Sequence, residues 1–532
     1  MPDLEYDVAI SGYGPTGLVC ASLLARQGHR VCVFERWPSL YGQPRIATID
    51  AESARILQAA CDVDKALANA TARERYLLCN GRGDILVDHD WGREDPSGFP
   101  HRISVHQPDI EDALDAAVRA AGAVVRQGHE VMGLKQVPGG VEITVRPTQA
   151  GNGEVATVAA RYLIGADGAR STTRALLGIE RESWPFRNAW LTVDVRRKRK
   201  LHDFLGVSPD GRIAAIFGVP DGKSHSVIPL GRDVLRFTFE IAPDVDRTAP
   251  ELSELASTSL QEVYDLGEDD VEIIREAVHV FEGKLANRWR DRNVFLAGDA
   301  AHSMTPFMGQ GGCSGLRDAA NLSWKLDLVL KGLAPETILD TYEAERKPHT
   351  RVYVDGSDRL GAMIFTRDPA AAAERDRRYL EGGPQPYPDP PRIETGIVHG
   401  GEKESPAAPV GMVGPQGRVR WQGLEGRFED IFGARFQILC LGRSPNEILR
   451  EDQRAGLDEL GAVTVGISAG ARGGLVQDLD GTYARFLAQY GARGLILRPD
   501  FVVHSVAKSD EALAGHVDAL LRQVTGRGKR EK

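Results

Sequence analysis

A glycine-rich turn between an apolar strand and a helix, close to the N-terminus, constrains the fold more than any other feature. The segments concerned are a strand YDVAISG (6–12), a helix GPTGLVCASLLARQG (14–28) and a second strand RVCVFER (30–36). The spacing of Gly12, Gly14 and Gly17 allows a tight turn, close approach of a pyrophosphate and close helix–strand packing. Glu35 ends the second strand, where an acid can accept from a ribose hydroxyl. The sequence therefore predicts an α/β fold with a Rossmann-like dinucleotide-binding unit.

Length, charge and cysteine usage exclude several classes of protein. A chain of 532 residues is too long for one ordinary core and indicates about three or four domains. Its formal net charge of −10 argues against a nucleic-acid partner, and no apolar run approaches the roughly 20 residues of a membrane-spanning helix. The six cysteines form no CxxC pair and no zinc spacing, and no export signal is visible. We therefore expect a cytoplasmic protein with neither disulfides nor a metal site.

Two more acid–glycine pairs follow apolar strands. RYLIGADG ends in Asp167-Gly168, and RNVFLAGDAAH contains Gly298-Asp299. Beyond the second pair, Pro306 and the glycine-rich segment 309–312 precede a long predicted helix. A helix N-terminus carries roughly half a positive charge and unpaired backbone N–H groups. Bare glycine backbone at that point therefore predicts that an electron-rich group approaches the main chain.

Three motifs in this order resemble the class A FAD-dependent aromatic hydroxylases, the family of para-hydroxybenzoate hydroxylase and phenol hydroxylase. The motifs are GYGPTG (12–17), GADGARSTTR (165–174) and AGDAAHSMTPFMGQGGCSGLRDAANLSWKL (297–326). Within that family the chain is most similar to the 3-(3-hydroxyphenyl)propionate hydroxylase-like enzymes. DIFGARFQILCLG and GLILRPDF resemble the thioredoxin-like C-terminal domain of that branch.

The resemblance implies a Rossmann-like FAD-binding domain, an inserted β-rich substrate domain and a C-terminal thioredoxin-like domain. The expected boundaries are 1–181 for the first part of the FAD-binding domain, 182–280 for the β-rich substrate domain, 281–380 for the second FAD-binding part with its helices, 381–408 for a Pro/Gly-rich linker, and 409–532 for the thioredoxin-like domain. The C-terminal domain would serve packing or dimer contact, so a homodimer is among the expected assemblies.

The activity that the resemblance implies is hydroxylation of a small phenolic aromatic substrate by a monooxygenase that uses FAD, NADPH (or NADH) and molecular oxygen. Oxygen transfer in this family passes through a flavin hydroperoxide. No second GxGxxG follows a strand, so we expect NAD(P)H to bind transiently in a groove.

Cofactor roles in the family can be carried over to the matching positions of this chain. They fall on Gly12, Gly14, Pro15, Thr16 and Gly17 for the FAD pyrophosphate, Glu35 and Arg36 for the adenosine ribose, Arg45 and Gln107 for polar contacts near the flavin and its phosphates, Asp167 for FAD and NADPH, and Asp299 for the ribityl chain. Pro306 would shape the loop against the reactive edge of the flavin, and backbone amides would face it at Gly309, Gln310, Gly311, Gly312 and Cys313. Many relatives have Met-Asn in place of Gly312-Cys313, so a side-chain amide contact is lost here.

A phenol is activated by losing its proton, which calls for a base or a hydrogen-bond acceptor. Asp50, which also reads as a helix N-cap, and His225, in the β-rich segment, are the candidates. The strand VLRFTFEI lacks the arginine-rich pattern of the phenylpropionate branch, which argues against a carboxylate-bearing substrate. Three alternatives remain: a Baeyer–Villiger or epoxidising enzyme acting on a polyketide, a flavin reductase that transfers no oxygen, and an interaction protein whose flavin is structural.

Overall fold

The computed structural model describes most of the chain. The described ranges are 4–92, 95–148, 154–199, 201, 212–220, 222–242, 249–382, 389–400 and 408–526. Parts of the predicted linker (383–388 and 401–407) and residues 527–532 of the predicted C-terminal domain lie outside them. Within these ranges, no helix combines the length and the apolar character needed to cross a membrane.

Runs of consecutive strands are separated by helices along most of the chain. The strands are β1 (Tyr6–Ser11), β2 (Val31–Glu35), β3 (Thr48–Asp50), β4 (Thr71–Ala72), β5 (Arg75–Asn80), β6 (Ile85–Asp90), β7 (Arg102–Ser104), β8 (Val124–Gln127), β9 (His129–Val137), β10 (Gly140–Pro147), β11 (Ala156–Gly165), β12 (Arg181–Arg197), β13 (Ile213–Gly218), β14 (His225–Pro229), β15 (Val234–Ile241), β16 (Val271–Ala286), β17 (Arg290–Asp291), β18 (Val294–Leu296), β19 (His302–Ser303), β20 (Arg418–Trp421), β21 (Leu424–Arg427), β22 (Gln437–Leu441), β23 (Val463–Ser468), β24 (Val476–Asp478), β25 (Gly494–Leu497) and β26 (Val503–Ala507). The helices are α1 (Pro15–Ala25), α2 (Ala51–Ala60), α3 (Val63–Ala66), α4 (Gln107–Ala120), α5 (Thr172–Leu176), α6 (Ala249–Tyr264), α7 (Gly311–Leu330), α8 (Asp340–Ile364), α9 (Pro369–Gly382), α10 (Phe428–Phe432), α11 (Glu451–Glu459), α12 (Thr482–Gln489) and α13 (Asp510–Thr525).

The first sheet contains the predicted βαβ unit. Its strand order is β17-β18-β11-β1-β2-β8, with β10 and β9 continuing from β11. The buried, apolar strand β1 pairs in parallel with β2 and β11. Gly12 ends β1 with a φ of +102°, and a Cβ there would overlap the carbonyl oxygen of Ala166. A Cβ on Gly17 would overlap the carbonyl oxygen of Gly12. Both glycines are therefore required for α1 to start close to the sheet.

The second sheet is largely antiparallel. Together with the first sheet it encloses the central cavity of the molecule. Its strand order is β19-β16-β12-β15-β14-β13-β5-β6, so it combines the predicted segment 182–280 with strands from before and after it. One face packs Leu191, Val193 and Phe237 against α6. The opposite face carries the residues that alternate with these and is turned towards the cavity.

The C-terminal unit forms a third sheet with the order β21-β20-β24-β23-β22-β25-β26. Strands β22 and β23 are parallel, whereas β25 and β26 are antiparallel to their neighbours. Buried ion pairs join this unit to the rest of the chain: Arg55 of α2 contacts Glu429 of α10, and Arg498 contacts Glu345 of α8 at 2.8 Å. Both pairs are buried, so the C-terminal unit packs against α2 and α8 of the preceding part of the chain.

Candidate active site

A cavity of about 370 Å³ lies between the first and the second sheet. Ten residues with a predicted site role line it, namely Gly14, Pro15, Thr16, Arg45, Gln107, Asp299, Pro306, Gly309, Gly311 and Gly312. The other predicted residues do not line it, namely Gly12, Gly17, Glu35, Arg36, Asp50, Asp167, His225, Gln310 and Cys313. The three sequence motifs are thus brought to one place.

The first glycine turn leaves its backbone open towards this cavity. Gly14 precedes α1 without a side-chain cap, and a Cβ built on it would meet no atom within 4 Å. The unpaired N–H groups of the first helical turn and the helix dipole favour an anion at this position. The open backbone at Gly14 therefore fits the pyrophosphate of a dinucleotide.

Glu35 and Arg36 lie outside the cavity lining, at the end of β2. The Glu35 carboxylate accepts hydrogen bonds from the backbone N–H groups of Tyr13 (2.8 Å) and Trp37 (3.0 Å). Arg36 is exposed, and its guanidinium lies over the indole of Trp37. These contacts fix the Glu35 carboxylate beside the glycine turn, and the predicted contact to an adenosine ribose stays a prediction.

Asp299 projects into the cavity from a short 3₁₀ turn, Gly298–Ala300. In the described part of the chain, its half-buried carboxylate takes part in no hydrogen bond. A Cβ on Gly298 would lie 2.6 Å from Oγ1 of Thr16, so the turn packs directly against the start of α1. The buried carboxylate of Asp318 accepts from the N–H of Gly298 at 3.1 Å and contacts Nε2 of His302 at 2.6 Å. Asp318, which the sequence did not single out, therefore holds the turn in place.

Asp167 does not line the cavity but holds the backbone next to it in place. Its Oδ2 accepts from the N–H and the hydroxyl of Thr173, at 2.8 and 2.9 Å. Its Oδ1 is buried without a hydrogen-bond partner among the residues that the structure describes. The neighbouring Ala166 and Gly168 line the cavity. Asp167 thus fixes the start of α5 and keeps one unused acceptor.

The segment between Pro306 and α7 presents glycine backbone to the cavity. Gly309 has a φ of +64°, which closes the turn that begins at Pro306. Gln310 and Cys313 point away: the Gln310 amide contacts Asp50 at 3.2 Å and Arg317 at 2.9 Å. Burial raises the pKa of the Cys313 thiol to about 11. Only the backbone of these two residues can serve a ligand.

Arg45 and Gln107 meet through the backbone. Oε1 of Gln107 accepts from the N–H groups of Arg45 (3.0 Å) and Ile46 (2.7 Å), and its amide donates to Glu111 at 2.7 Å. The buried Gln107 thereby fixes the segment 45–48 that lines the cavity.

The hypothesis that Asp50 is the base must be corrected. Its buried side chain caps α2 by accepting from the N–H of Ser53 at 2.9 Å, and its other oxygen pairs with Arg317. Burial alone would raise the pKa of Asp50, but Arg317 and Arg102 hold it well below its usual range. A carboxylate of such low basicity, outside the cavity lining, cannot take a proton from a substrate held there.

The hypothesis that His225 is the base must also be corrected. Its ring stacks on Phe217 at a centroid distance of 4.7 Å and meets Tyr264 of α6 edge-on at 5.4 Å. Its neighbour Ser226 lines the cavity, and adjacent residues of a strand point to opposite faces. His225 therefore faces α6.

Aromatic side chains form much of the cavity wall on the side of the second sheet. They are Tyr76, Trp91, Trp190, Phe281, Phe307 and Phe365. The rings of Phe307 and Phe365 lie 4.7 Å apart, and those of Trp190 and Phe365 lie 4.8 Å apart. Such walls exclude water and offer offset or edge-on contacts to a bound aromatic ring.

The same face carries more positive than negative charge. Arg236 and Arg275 both pair with the buried carboxylate of Asp194, at 2.7 and 3.2 Å. Arg73 is also buried, and it donates to the Ser104 hydroxyl at 2.7 Å; burial lowers its pKa to about 10. In the described ranges, no salt bridge joins Arg73 to a carboxylate. The cavity can therefore stabilise an anion.

Sequence reasoning missed these wall residues. The signal was the alternation in β15 and in the second half of β12, where polar or charged residues recur at every second position, as in Arg236, Thr238 and Glu240. Cross-strand pairing places Asp194 opposite both Arg236 and Arg275, and Trp190 opposite His279. Residues paired in this way share one face of a sheet, but the pairing itself is not visible in the sequence.

Taken together, the site fits FAD. The open glycine turn suits a pyrophosphate, the free carboxylate of Asp299 suits a ribityl hydroxyl, and the N-terminus of α7 suits an electron-rich ring. The aromatic side chains in the lining suit a second, aromatic molecule.

Comparison with known proteins agrees with this geometry. The family described as FAD binding domain matches residues 5–357, and the family described as HcaD C-terminal domain matches residues 411–523. A probable NADH-specific resorcinol 4-hydroxylase of Rhodococcus jostii (strain RHA1) is 32% identical over 521 residues, which cover 97% of this chain and 95% of that protein.

Two further proteins are similar over most of their length. A 3-(3-hydroxy-phenyl)propionate/3-hydroxycinnamic acid hydroxylase of Mycobacterium sp. (strain JLS) is 32% identical over 462 residues, 85% of this chain and 78% of that protein. The crystal structure of aklavinone-11 hydroxylase in a ternary complex with FAD and aklavinone matches with a TM-score of 0.77 and 25% identity, over 99% of this chain and 100% of the other.

Proposed function

The chain belongs to the FAD binding domain family of FAD-dependent aromatic hydroxylases, and from this premise we propose that it hydroxylates a single-ring phenol. The observation that carries the proposal is one cavity whose lining combines the glycine segments with aromatic and arginine side chains. The overall reaction consumes a phenol, O₂, NAD(P)H and a proton, and yields a product with one additional ring hydroxyl, NAD(P)⁺ and water.

The residues of the chain bind and orient FAD and the phenolic substrate. Gly14, Pro15 and Thr16 would receive the pyrophosphate, Asp299 the ribityl chain, and the backbone of Gly309–Gly312 the flavin ring. When bound at these residues, FAD would supply the capacity to accept hydride from NAD(P)H and to activate O₂. The aromatic wall holds the substrate ring and keeps water away from the reacting atoms. Pro306 shapes the loop between the two reactants.

The choice of a single-ring phenol rests on the relatives. Those from Rhodococcus and Mycobacterium are named for resorcinol and for hydroxyphenylpropionate, and the first name also favours NADH over NADPH as the reductant. Aklavinone, in the related crystal structure, has several fused rings. A polycyclic substrate is therefore the outcome that would contradict this part of the proposal.

We further propose that residues 409–532 adopt a thioredoxin-like fold without redox activity. In support, α11 lies between the parallel strands β22 and β23, and the antiparallel strands β25 and β26 lead into α13. The segment contains one cysteine, Cys440. Its function would be to pack against the FAD-binding domain or against a second copy of the chain.

The test is a substrate screen with the purified holoenzyme. Resorcinol, 3-(3-hydroxyphenyl)propionate and a polycyclic anthracyclinone are each offered with NADH or NADPH. We expect one of the single-ring phenols to accelerate NADH oxidation and to give a product heavier by one oxygen atom, with little hydrogen peroxide. Oxidation without any oxygenated product would favour a flavin reductase instead.

A further inference from the structure

A histidine outside the three sequence motifs lies among the aromatic side chains that line the cavity. His279, on β16, lines the cavity, stacks on Phe281 at a centroid distance of 6.1 Å and pairs across the strands with Trp190. Nε2 of its half-buried ring lies 3.2 Å from Nη2 of Arg275. No other hydrogen bond to this ring occurs in the described part of the chain, so Nδ1 is available to a ligand.

The contact with Arg275 determines the tautomer of the ring. A guanidinium has only donors and stays protonated, so Nε2 must accept and carries no proton. The remaining proton of the neutral imidazole is then on Nδ1. Burial and the nearby Arg275, Arg45 and Arg236 lower the pKa of His279 to about 4, which agrees with a neutral ring at pH 7. His279 therefore presents a hydrogen-bond donor, not a base, to the cavity.

The charges around the ring favour an oxyanion. Arg275, Arg45 and Arg236 act on it from β16, the segment before β3 and β15, and the carboxylate of Asp194 opposes them. Both Arg236 and Arg275 share that carboxylate. An anion within reach of Nδ1 thus meets a donor in a field of net positive charge.

Resting on the proposed function, we propose that the Nδ1–H of His279 donates a hydrogen bond to the ionised hydroxyl oxygen of the phenolic substrate. Arg275 is the positioning residue that holds the ring in this tautomer. The phenol releases its proton to bulk water, and neither residue takes it up. Stabilising the phenolate makes the ring more electron-rich, which prepares it for oxygen transfer without a base in the cavity.

The experiment measures binding, independently of turnover. The holoenzyme is titrated with 4-nitrophenol over a range of pH, and difference absorbance reports whether the bound phenol is ionised. We expect the wild-type protein to bind the phenolate at least about tenfold more tightly than the neutral phenol, so that the bound phenol ionises at a lower pH than the free one. Equal affinity of the wild-type protein for the phenolate and the neutral phenol would overturn the proposal. This part of the experiment needs no variant.

Variants then identify the donor. His279→Phe keeps an aromatic ring but removes the N–H, and should weaken phenolate binding about 10- to 100-fold with a much smaller effect on the neutral phenol. His279→Gln offers an amide N–H and should recover most of the loss. His225→Phe, on the other face of the same sheet, is the matched control and should titrate as the wild type. FAD content and thermal unfolding verify that each variant is folded.

The outcomes separate this proposal from the proposed function. The role of His279 would be overturned if His279→Phe bound the phenolate as tightly as the wild type does, or if its affinity for phenolate and for neutral phenol fell equally. Neither result would affect hydroxylation by the wild type. A wild-type protein that hydroxylates no phenol would overturn the function, whatever the titration shows.

Discussion

Arg236 of β15 and Asp194 of β12 face each other in the second sheet and form a buried two-point ion pair, with Nε–Oδ1 and Nη2–Oδ2 distances of 2.7 and 2.9 Å. The same guanidinium donates to the carbonyl oxygens of Pro44 at 2.6 Å and Arg45 at 2.8 Å. The pair therefore joins the substrate sheet to the loop that brings Arg45 into the cavity.

Asp194→Asn should destabilise the protein strongly. The substitution leaves Arg236 and Arg275 buried without a carboxylate, and removing one partner of a buried pair typically costs about 3–5 kcal/mol. Urea unfolding measures the change. Glu272→Gln, which breaks the exposed Arg196–Glu272 pair (2.8 Å) between β12 and β16, is the control and should cost less than about 1 kcal/mol. Equal effects at the two sites would show that Asp194 does not hold the sheet to the loop.

Asp299→Ala should weaken FAD binding. If its free carboxylate accepts from a ribityl hydroxyl, the lost hydrogen bond to a charged group is worth about 1.5–3 kcal/mol, or roughly 10- to 100-fold in Kd. Fluorescence titration of the apoprotein with FAD measures the affinity. Asp291→Asn, just before β18 and paired with Arg288 at 3.1 Å outside the cavity lining, should leave it unchanged. Wild-type affinity in Asp299→Ala would remove Asp299 from this role.

Gly14→Ala should mainly weaken FAD binding, whereas Gly17→Ala should lower the stability of the protein. A Cβ on Gly14 meets no atom within 4 Å, so the apoprotein should lose less than about 1 kcal/mol, while FAD affinity falls because the methyl group occupies the pyrophosphate position. A Cβ on Gly17 overlaps the carbonyl oxygen of Gly12, so stability itself should fall. Unfolding of the two apoproteins, set beside their FAD titrations, separates the effects. A stable Gly17→Ala apoprotein would contradict the close packing of α1.

The parts of the site that sequence reasoning predicted are those encoded locally. Gly12, Gly14 and Gly17 determine a backbone conformation within one turn, and the strand and helix on either side are short-range features. The same holds for Asp299 and the glycines before α7, which lie within about a dozen residues of each other. In each case the chemistry follows from exposed backbone or from one side chain at a strand end.

The parts that could not be predicted depend on distant partners. By sequence, Asp50 is a candidate base as well as a helix N-cap, and only its pairing with Arg317, 267 residues later, decides against the base. His225 and His279 are both strand histidines of one sheet, and only the strand pairing shows that the first faces α6 and the second faces the cavity. Register and cross-strand partners are set by tertiary packing, which the alternation of residues along one strand does not reveal.

The C-terminal domain should show no disulfide exchange. Thiol–disulfide exchange needs a second thiol to resolve the mixed disulfide, and Cys440 is the only cysteine of residues 409–532. Burial raises the pKa of its thiol, which lowers the fraction of reactive thiolate further. An insulin-reduction assay with dithiothreitol should therefore give the rate of the buffer alone, and Cys440→Ser should give the same rate. Activity that disappears in Cys440→Ser would contradict the expectation.

Glu345→Gln should remove an acid-sensitive part of the stability. Lys325 and Arg498 each contact the buried Glu345 carboxylate at 2.8 Å, so that this carboxylate connects α7, α8 and the C-terminal unit. Burial would raise the pKa of Glu345, but Arg498 and Lys325 lower it to about 2. Because the folded-state pKa lies below the ordinary value of about 4.5, this contribution is present above pH 4.5 and is lost as the pH falls towards 2. The difference between these two pKa values corresponds to about 3 kcal/mol in the free energy of unfolding.

The measurement is the free energy of unfolding of wild type and Glu345→Gln between pH 7 and pH 2.5. At pH 7 the variant should be the less stable protein, because Lys325 and Arg498 lose a shared buried partner. The gap should narrow as the pH falls below 4.5, since Glu345 of the unfolded wild type then binds a proton that the folded state, with its lower pKa, does not bind. Glu374→Gln, which removes an exposed carboxylate that pairs with Arg377 on α9, should follow the wild-type curve throughout. A gap that stays constant down to pH 2.5 would mean that the Glu345 charge does not stabilise the docking of the C-terminal unit.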